Sequence, residues 1–221
     1  MRGMTGLDRG RTLSPEQARS VYNRIGRVQD WQSFYETAPI GDMIAHSGFP
    51  LATSVYELGC GTGALAARLL GEELDDAATY FGVEVSDTMV SMTTDRIARW
   101  SDRARVQLVS GDLPLPGCDH RFDRFVATFV FDLLDDGYAS RILDEALRLL
   151  TSDGLVCIVS LTDGTTPMSR VVAGGWRSIW RSAPRLVGGC RPVDMATILT
   201  DRWKPVHHRV ITSWAVPSEI L

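Results

Sequence analysis

A tight glycine-rich turn joins a predicted strand to a predicted helix in the first third of the chain. The apolar segment 55–58 leads into Gly-Cys-Gly-Thr-Gly at 59–63, and helix-forming residues 64–70 follow at once. Glycine suits such a turn because it lacks a Cβ and adopts conformations that other residues avoid. The turn also directs free backbone N–H groups and a helix N-terminus toward the end of the strand. We therefore predict a cradle for a small ligand here.

Strand-like and helix-like segments alternate around this turn. Strands are predicted at 53–58, 79–85, 105–109, 123–130 and 154–161. Helices are predicted between them at 63–74, 86–100 and 138–150. This alternation favours a parallel sheet with helices on both faces. The C-terminal section predicts helices at about 167–183 and 192–201, a glycine-rich turn at 188–189, and strands at 205–214 and 218–221.

The N-terminal section predicts two amphipathic helices before the first strand. Ser14-Pro15 starts a helix over about 15–29, because a capping serine precedes a proline at the first helical position. Its apolar face is formed by Ala18, Val21, Tyr22, Ile25 and Val28. A second stretch, with Trp31, Phe34 and Tyr35, ends near Pro50.

Composition excludes several classes of protein. The chain has 221 residues with 23 Lys+Arg and 27 Asp+Glu, a formal net charge of −4, so a nucleic acid is not an expected partner. Four cysteines without a Cys-x-x-Cys pair indicate neither a zinc site nor a disulfide framework. The sequence shows no export signal and no apolar run of about 18 residues, so we expect a cytoplasmic protein without a membrane span.

An acid ends the second predicted strand, where a nucleotide ribose would lie. Glu84 follows Gly63 after a spacing at which an acid accepts hydrogen bonds from ribose hydroxyls. The pattern Gly59-x-Gly61-x-x-Ala64 also satisfies a nicotinamide-binding fingerprint, so an NAD(P)-dependent oxidoreductase is an alternative. A short-chain reductase would need a tyrosine four residues before a lysine. The only lysine is Lys204 and residue 200 is threonine, which disfavours that chemistry.

Together, these elements resemble the class I S-adenosylmethionine-dependent methyltransferases from about Tyr22 to the last residue. Residues 55–63 resemble the first motif, with Glu57 where an acid stands near the methionine ammonium group. Residues 84–89 resemble the acid-x-Ser-x-x-Met segment, which implies packing of Met89 on the adenine. Residues 111–116 resemble the turn after the third strand, which implies a contact from Asp112 to the adenine amino group.

Two further segments extend the resemblance, at 122–130 for the fourth strand and at 149–155 for the entry to the fifth. The resemblance implies S-adenosylmethionine contacts from Tyr22, Glu57, Gly59, Cys60, Gly61, Gly63, Glu84, Val85, Met89, Gly111, Asp112, Leu113, Thr128 and Phe129. Structural alternatives remain: Met89 as a core residue and Asp112 as a turn cap.

The acceptor side is less defined. Tyr22-Asn23-Arg24-Ile25 resembles a lid segment, and Asp132 lies beyond the fourth strand, where substrate-side groups project, so Tyr22 and Asp132 are the catalytic candidates. Helix capping before Tyr138 is the alternative for Asp132. We expect transfer to need no metal, because His207 and His208 would face opposite sides of a strand.

The sequence thus predicts one α/β domain over 1–221, with a Rossmann-like, seven-stranded, mostly parallel sheet and one antiparallel strand. Residues 1–50 form a tail and helical lid, 51–165 the cofactor-binding core, and 166–221 acceptor-side helices and final strands. The expected function is in-line methyl transfer to a small organic acceptor through O, N, S or C. A non-catalytic S-adenosylmethionine-binding partner subunit is the other alternative.

Overall fold

The computed structural model describes residues 33–182 and 190–221. The strands are β1 (Ser54–Leu58), β2 (Thr79–Glu84), β3 (Ala104–Leu108), β4 (Phe122–Thr128), β5 (Leu150–Leu161), β6 (Arg209–Ser213) and β7 (Val216–Ile220). The α-helices of the described residues are α1 (Ser33–His46), α2 (Ala64–Arg68), α3 (Asp87–Arg96), α4 (Asp136–Leu149) and α5 (Pro167–Ser182). Short helical turns lie at Phe49–Leu51, Leu69–Glu73, Ala98–Trp100, Phe131–Leu133 and Met195–Thr197.

The strands form one seven-stranded sheet in the order β3-β2-β1-β4-β5-β7-β6. Strands β1 to β5 are parallel, whereas β7 runs antiparallel to both β5 and β6. The predicted fold class, with a single antiparallel strand, is confirmed. Since β1 is followed by β2 on one side and lies against β4 on the other, the strand order reverses at β1. Open α/β sheets bind ligands in the crevice at such a point.

Helices cover both faces of the sheet. Helix α4 packs one buried stripe against β4 and β5, and its members include Ala139, Ile142, Leu143 and Ala146. Helices α1 and α2 cover the opposite face, where Met43, Ile44, Leu65 and Leu69 are buried. Every residue of β1 is buried because both faces of this central strand are covered.

Most predicted elements agree with the structure to within a few residues, but the helix predicted at 192–201 is wrong. Only the turn Met195–Thr197 is helical there. Pro192 has no N–H, and the N–H of Val193 donates to the carbonyl of Leu161, which holds this segment extended beside β5. The helix predicted at 15–29 and the turn at 188–189 lie outside the described residues.

None of the helices within 33–182 and 190–221 is long and apolar enough to cross a membrane.

Candidate functional site

The glycine turn lies at the carboxyl end of β1 and leads directly into α2. Gly59 and Gly61 adopt φ values of 68° and 54°, in the left-handed region that favours glycine. A Cβ on Gly59 would stand 2.7 Å from Cγ2 of Val130, whereas a Cβ on Gly61 would meet nothing within 4 Å. Gly63 caps α2. The turn is therefore packed against the end of β4 at its start and open above its centre.

Glu84 closes this turn from the neighbouring strand β2. Its side chain is buried, and one carboxylate oxygen accepts the N–H of Gly61 at 3.0 Å. The other oxygen accepts the N–H groups of Val85 and Ser86 at 2.8 and 3.1 Å. Burial raises the pKa of Glu84, while these three backbone hydrogen bonds oppose the shift. Glu84 thus joins the turn to the start of α3.

Glu57 is a second buried acid, inside β1 and 1% exposed. The hydroxyl of Tyr80 donates to its Oε2 at 2.6 Å. Burial raises the pKa of Glu57 to about 7, against the bond from Tyr80 and with the help of the charge of Glu84. A buried carboxyl that accepts so few hydrogen bonds is a suitable partner for a cation. Sequence reasoning missed Tyr80, although its place on the strand beside β1 was predictable.

Two of the predicted cofactor contacts, Met89 and Cys60, are buried in the core. Ser86 accepts the N–H of Met89 at 3.2 Å and caps α3, and the side chain of Met89 is 1% exposed. Cys60 is also buried, and its pKa is raised by burial and by Glu57 and Glu84. Its thiol is therefore a packing group in the turn and is not a thiolate near neutral pH.

The segment after β3 lies beside the end of β2, because the N–H of Val109 donates to the carbonyl of Glu84 at 2.9 Å. Asp112 is exposed and accepts a hydrogen bond from the hydroxyl of Ser110 at 2.7 Å. Leu113 packs against the core cluster. The hydroxyl of Tyr138 donates to the carbonyl of Gly111 and so links this turn to the start of α4.

The end of β4 forms the other side of the crevice. Thr128 is paired with Val159 of β5. Phe129 has a φ of 54°, unusual for a residue with a side chain, and its N–H donates to the carbonyl of Val159 at 2.6 Å. Its ring meets that of Tyr35 edge to face, with centroids 5.7 Å apart. The strand end thus directs an aromatic ring toward helix α1.

Asp132 lies just beyond, in the turn Phe131–Leu133, and is completely buried. Neither carboxylate oxygen has a partner with full hydrogen-bond geometry within the described part of the chain. Burial raises the pKa of Asp132 to about 7, and the charge of Glu36 adds to the shift; the backbone N–H of Asp132, the side chain of Cys190 and the charge of Arg191 oppose it. Asp135 accepts the N–H of Tyr138 and caps α4, so the capping role considered for Asp132 is wrong.

Groups from distant parts of the chain lie near Asp132. Tyr35 is buried, and its pKa is raised by burial, then by Glu36, Cys190 and Asp132. The indole of Trp176 donates to the carbonyl of Cys190 at 2.9 Å. The N–H of Arg191 donates to the backbone carbonyl of Asp132 at 2.9 Å. The sequence analysis named Tyr35 but did not place it, Trp176 or Cys190 near Asp132.

The described residues bring the predicted cofactor contacts to one edge of the sheet, except Tyr22, which lies outside them. The buried acid on β1 offers a partner for a cation. The acid at the end of β2 offers acceptors for hydroxyl groups, and the open glycine turn leaves space for a ligand. These features fit S-adenosylmethionine, which carries an ammonium group and a ribose. Together with the order of the strands in the sheet, these features are typical of the class I methyltransferase fold.

Comparison with known proteins gives the same class. Residues 55–154 match the family described as a methyltransferase domain, a span from β1 into β5 that contains the glycine turn, Glu84 and Asp132. The fold also matches the N-methyltransferase NodS from Bradyrhizobium japonicum, solved with S-adenosylhomocysteine, with a TM-score of 0.65 at 15% identity over 92% of this chain and 96% of that one. The chain thus contains a region similar to this methyltransferase domain and has the class I methyltransferase fold.

Two relatives have names that give different methyl acceptors. The chain is 29% identical to demethylmenaquinone methyltransferase of Lactobacillus johnsonii over 58% of its own length and 50% of that protein. It is 27% identical to the tRNA N(3)-methylcytidine methyltransferase Mettl2 of Drosophila melanogaster over 67% of its length and 48% of that protein. The chain thus spans about half the length of these curated relatives, whose named acceptors differ in kind.

Proposed function

We propose that this protein transfers the methyl group of S-adenosylmethionine to a small organic acceptor by in-line displacement. One observation carries the acceptor side of the proposal: the carboxyl of Asp132 beyond the end of β4 is completely buried, and no described group meets it with full hydrogen-bond geometry. Its near neighbour Val130 packs against Gly59 of the cofactor turn. An acceptor held by Asp132 would therefore lie beside the bound cofactor.

Four side chains would hold the cofactor. In this proposal Glu57 faces the methionine ammonium group, Glu84 the ribose hydroxyls and Asp112 the adenine amino group, while Met89 packs on the adenine. A carboxylate offers about four lone-pair sites, so Glu84 retains capacity beyond its three backbone bonds. The backbone of the turn supplies the remaining contacts, from Gly59, Cys60, Gly61 and Gly63, together with Val85, Gly111, Leu113, Thr128 and Phe129.

Bound S-adenosylmethionine supplies an activated methyl group, so alignment and exclusion of water provide much of the acceleration. The acceptor forms a bond to the methyl carbon as the carbon–sulfur bond breaks, and a proton on the attacking atom passes to Asp132. A carboxyl with a pKa of about 7 is suited to this role near neutral pH. Tyr22 would close over the cofactor from the N-terminal lid.

The surroundings of Asp132 favour a small acceptor with an apolar or aromatic part. Tyr35, Phe129 and Trp176 pack in one cluster with Leu161 beside this carboxyl. Aromatic walls with a single polar group are typical of small-molecule sites. The net charge of −4 disfavours a polyanionic acceptor such as tRNA. We also propose that 1–50 serves as the lid, 51–165 as the cofactor core and 166–221 as the acceptor side of one domain.

A binding and transfer experiment tests this function. Isothermal titration compares S-adenosylhomocysteine with NAD, and labelled S-adenosylmethionine is then offered with small phenols, amines, thiols, carbon acids and tRNA. We expect binding of the first ligand and label transfer to one small class. Tight NAD binding without a response to S-adenosylhomocysteine would overturn the cofactor assignment. Transfer to tRNA alone would overturn the acceptor class.

Asp132→Asn isolates the proposed role of the carboxyl. We expect the variant to bind S-adenosylhomocysteine as the wild type does but to transfer methyl groups at least about a hundredfold more slowly. Asp135→Ser is the matched control, because serine retains the helix cap while removing a neighbouring charge. An Asp132→Asn variant with the wild-type transfer rate would remove Asp132 from the site.

A further inference from the structure

A cluster of three side chains lies on the side of the sheet where the parallel strands begin, opposite to the glycine turn. It consists of Asp42, His46 and His207. Asp42 and His46 lie one helical turn apart near the end of α1, and His207 precedes β6. Strand β6 runs parallel to β1 because both β5 and β6 are antiparallel to β7. Its start therefore lies where the parallel strands begin, and the cofactor turn lies where they end. This cluster is separate from the site described above.

The three side chains are already in contact. Nε2 of His207 lies 2.7 Å from Oδ2 of Asp42, and the rings of His46 and His207 stack with centroids 3.7 Å apart and an angle of 4° between their planes. One ligand atom from each residue lies within 4.8 Å of the other two. Metal–ligand bonds of 2.0–2.2 Å would place such atoms roughly 3.3 Å apart. Because an imidazole lone pair lies in the ring plane, the two stacked rings would have to rotate apart, and the contact between His207 and Asp42 would open, for all three to bind one ion.

The hydrogen bonds around the cluster suit a metal site. Nδ1 of His46 lies 2.8 Å from the backbone carbonyl of Asp42, which fixes this nitrogen as the donor and leaves Nε2 with its lone pair. Arg209 donates to Oδ1 of Asp42 at 2.8 Å, so Oδ2 is the oxygen that faces the histidines. The Asp42 side chain is 7% exposed and that of His207 is 22% exposed, which limits competition from water.

We propose that Asp42, His46 and His207 bind one divalent transition metal of the zinc type, with water in the fourth position. Two imidazoles and one carboxylate form a ligand set that such ions take readily, whereas magnesium and calcium prefer oxygen ligands. The positive charge of Arg209 opposes the ion, so binding is weaker than at a closed structural site with several thiolates. The ion would join helix α1 to the outermost strand of the sheet and take no part in methyl transfer.

Sequence reasoning gave His46 no role because its partner lies far along the chain. Asp42 and His207 are 165 positions apart. His208, by contrast, contacts Oε1 of Glu219 at 2.8 Å. The two adjacent histidines thus contact different partners, but both precede β6 and do not lie on the predicted strand. His208 offers a matched control for His207.

The full-length protein, stripped of metal by a chelator and dialysed, is titrated with Co²⁺ and with Zn²⁺. Calorimetry counts bound ions, and the visible spectrum of Co²⁺ reports the ligands. We expect one ion per chain, with weak visible bands and no sulfur charge-transfer band. His46→Gln and His207→Gln should each weaken binding at least about tenfold, while His208→Gln leaves it unchanged.

Three outcomes would overturn the proposal: no stoichiometric binding, equal binding by all three variants, or a sulfur charge-transfer band that places the ion on a cysteine. The first outcome would leave a stacked, hydrogen-bonded cluster with no metal function. Circular dichroism of the metal-free variants separates loss of a ligand from loss of the fold. His46 is exposed, so His46→Gln tests the site without disturbing a buried group.

Discussion

Cγ2 of Val130 lies 2.7 Å from the point where a Cβ on Gly59 would stand. Gly59 directly follows β1 and Val130 lies just beyond β4, so the two neighbouring strand ends pack without space for one carbon atom. The positive φ of Gly59 adds a conformational reason for glycine at this position.

Gly59→Ala should therefore destabilise the protein by roughly 1–3 kcal/mol and weaken binding of S-adenosylhomocysteine. Val130→Ala, added to it, should restore part of the free energy of unfolding, since it relieves the clash but leaves the backbone strain. Gly41→Ala, in α1 with nothing within 4 Å of its Cβ, is the control and should be neutral or stabilising. Urea unfolding measures all three. Equal stability of Gly59→Ala and wild type would contradict this packing.

Binding of S-adenosylhomocysteine should depend on pH through Glu57. Its pKa of about 7 means that the carboxyl is protonated in the free protein at lower pH, whereas an ammonium group needs the ionised form. We expect affinity to fall by up to about tenfold for each pH unit below 7. Glu57→Gln should bind weakly at every pH and lose this dependence. Calorimetry between about pH 5 and 8 measures it, and a parallel slope in the variant would exclude Glu57.

Glu84→Ala should weaken binding of S-adenosylhomocysteine about ten- to a hundredfold, or roughly 1.5–3 kcal/mol, because charge-assisted bonds to the ribose are lost. The melting temperature should fall as well, since three backbone N–H groups lose their acceptor. Asp95→Asn, an exposed acid of α3, controls for the change in charge. A folded Glu84→Ala variant with unchanged affinity would show that Glu84 only supports the turn.

The stability of the free protein should fall as the pH rises from about 4 to 7. Unfolded carboxyls lose their protons near pH 4, whereas Glu57 and Asp132 keep theirs until about 7 in the folded protein. The folded state thus holds more protons in this range, and each group contributes a slope of up to about 1.4 kcal/mol per pH unit. Asp132→Asn should flatten the slope measured by urea unfolding. An unaltered slope would mean that Asp132 is ionised when folded.

Substitutions of Tyr22 test the proposed N-terminal lid. Tyr22→Ala should lower kcat/KM by about tenfold or more, because an aromatic ring that closes over the cofactor excludes water from the reacting carbon. Tyr22→Phe retains the ring and should keep most of the activity. Full activity of Tyr22→Ala in a folded protein would remove it from the site.

The positions of the glycine turn and of Glu84 could be predicted from the local sequence. The glycine turn and Glu84 stand at strand ends that short-range patterns reveal, and parallel strands bring such ends to one edge. The helix expected at 192–201 failed because the backbone of Val193 pairs with Leu161 of a remote strand. Asp132 was named from its position, but its environment depends on residues near 35, 176 and 190. Contacts of this kind arise from tertiary packing and leave no periodic signal in the sequence.

Helix α1 carries Tyr35 near its first turn and Asp42 two turns later, roughly 10 Å along the axis. Tyr35, near one end of this helix, interacts electrostatically with Asp132, and the other end contacts His207 and Arg209. The two ends cannot move independently while the helix stays intact. If a cation at the histidine end shifts this helix, acceptor affinity changes with it. Thermodynamic reciprocity then requires the acceptor to change the affinity for the cation by the same factor.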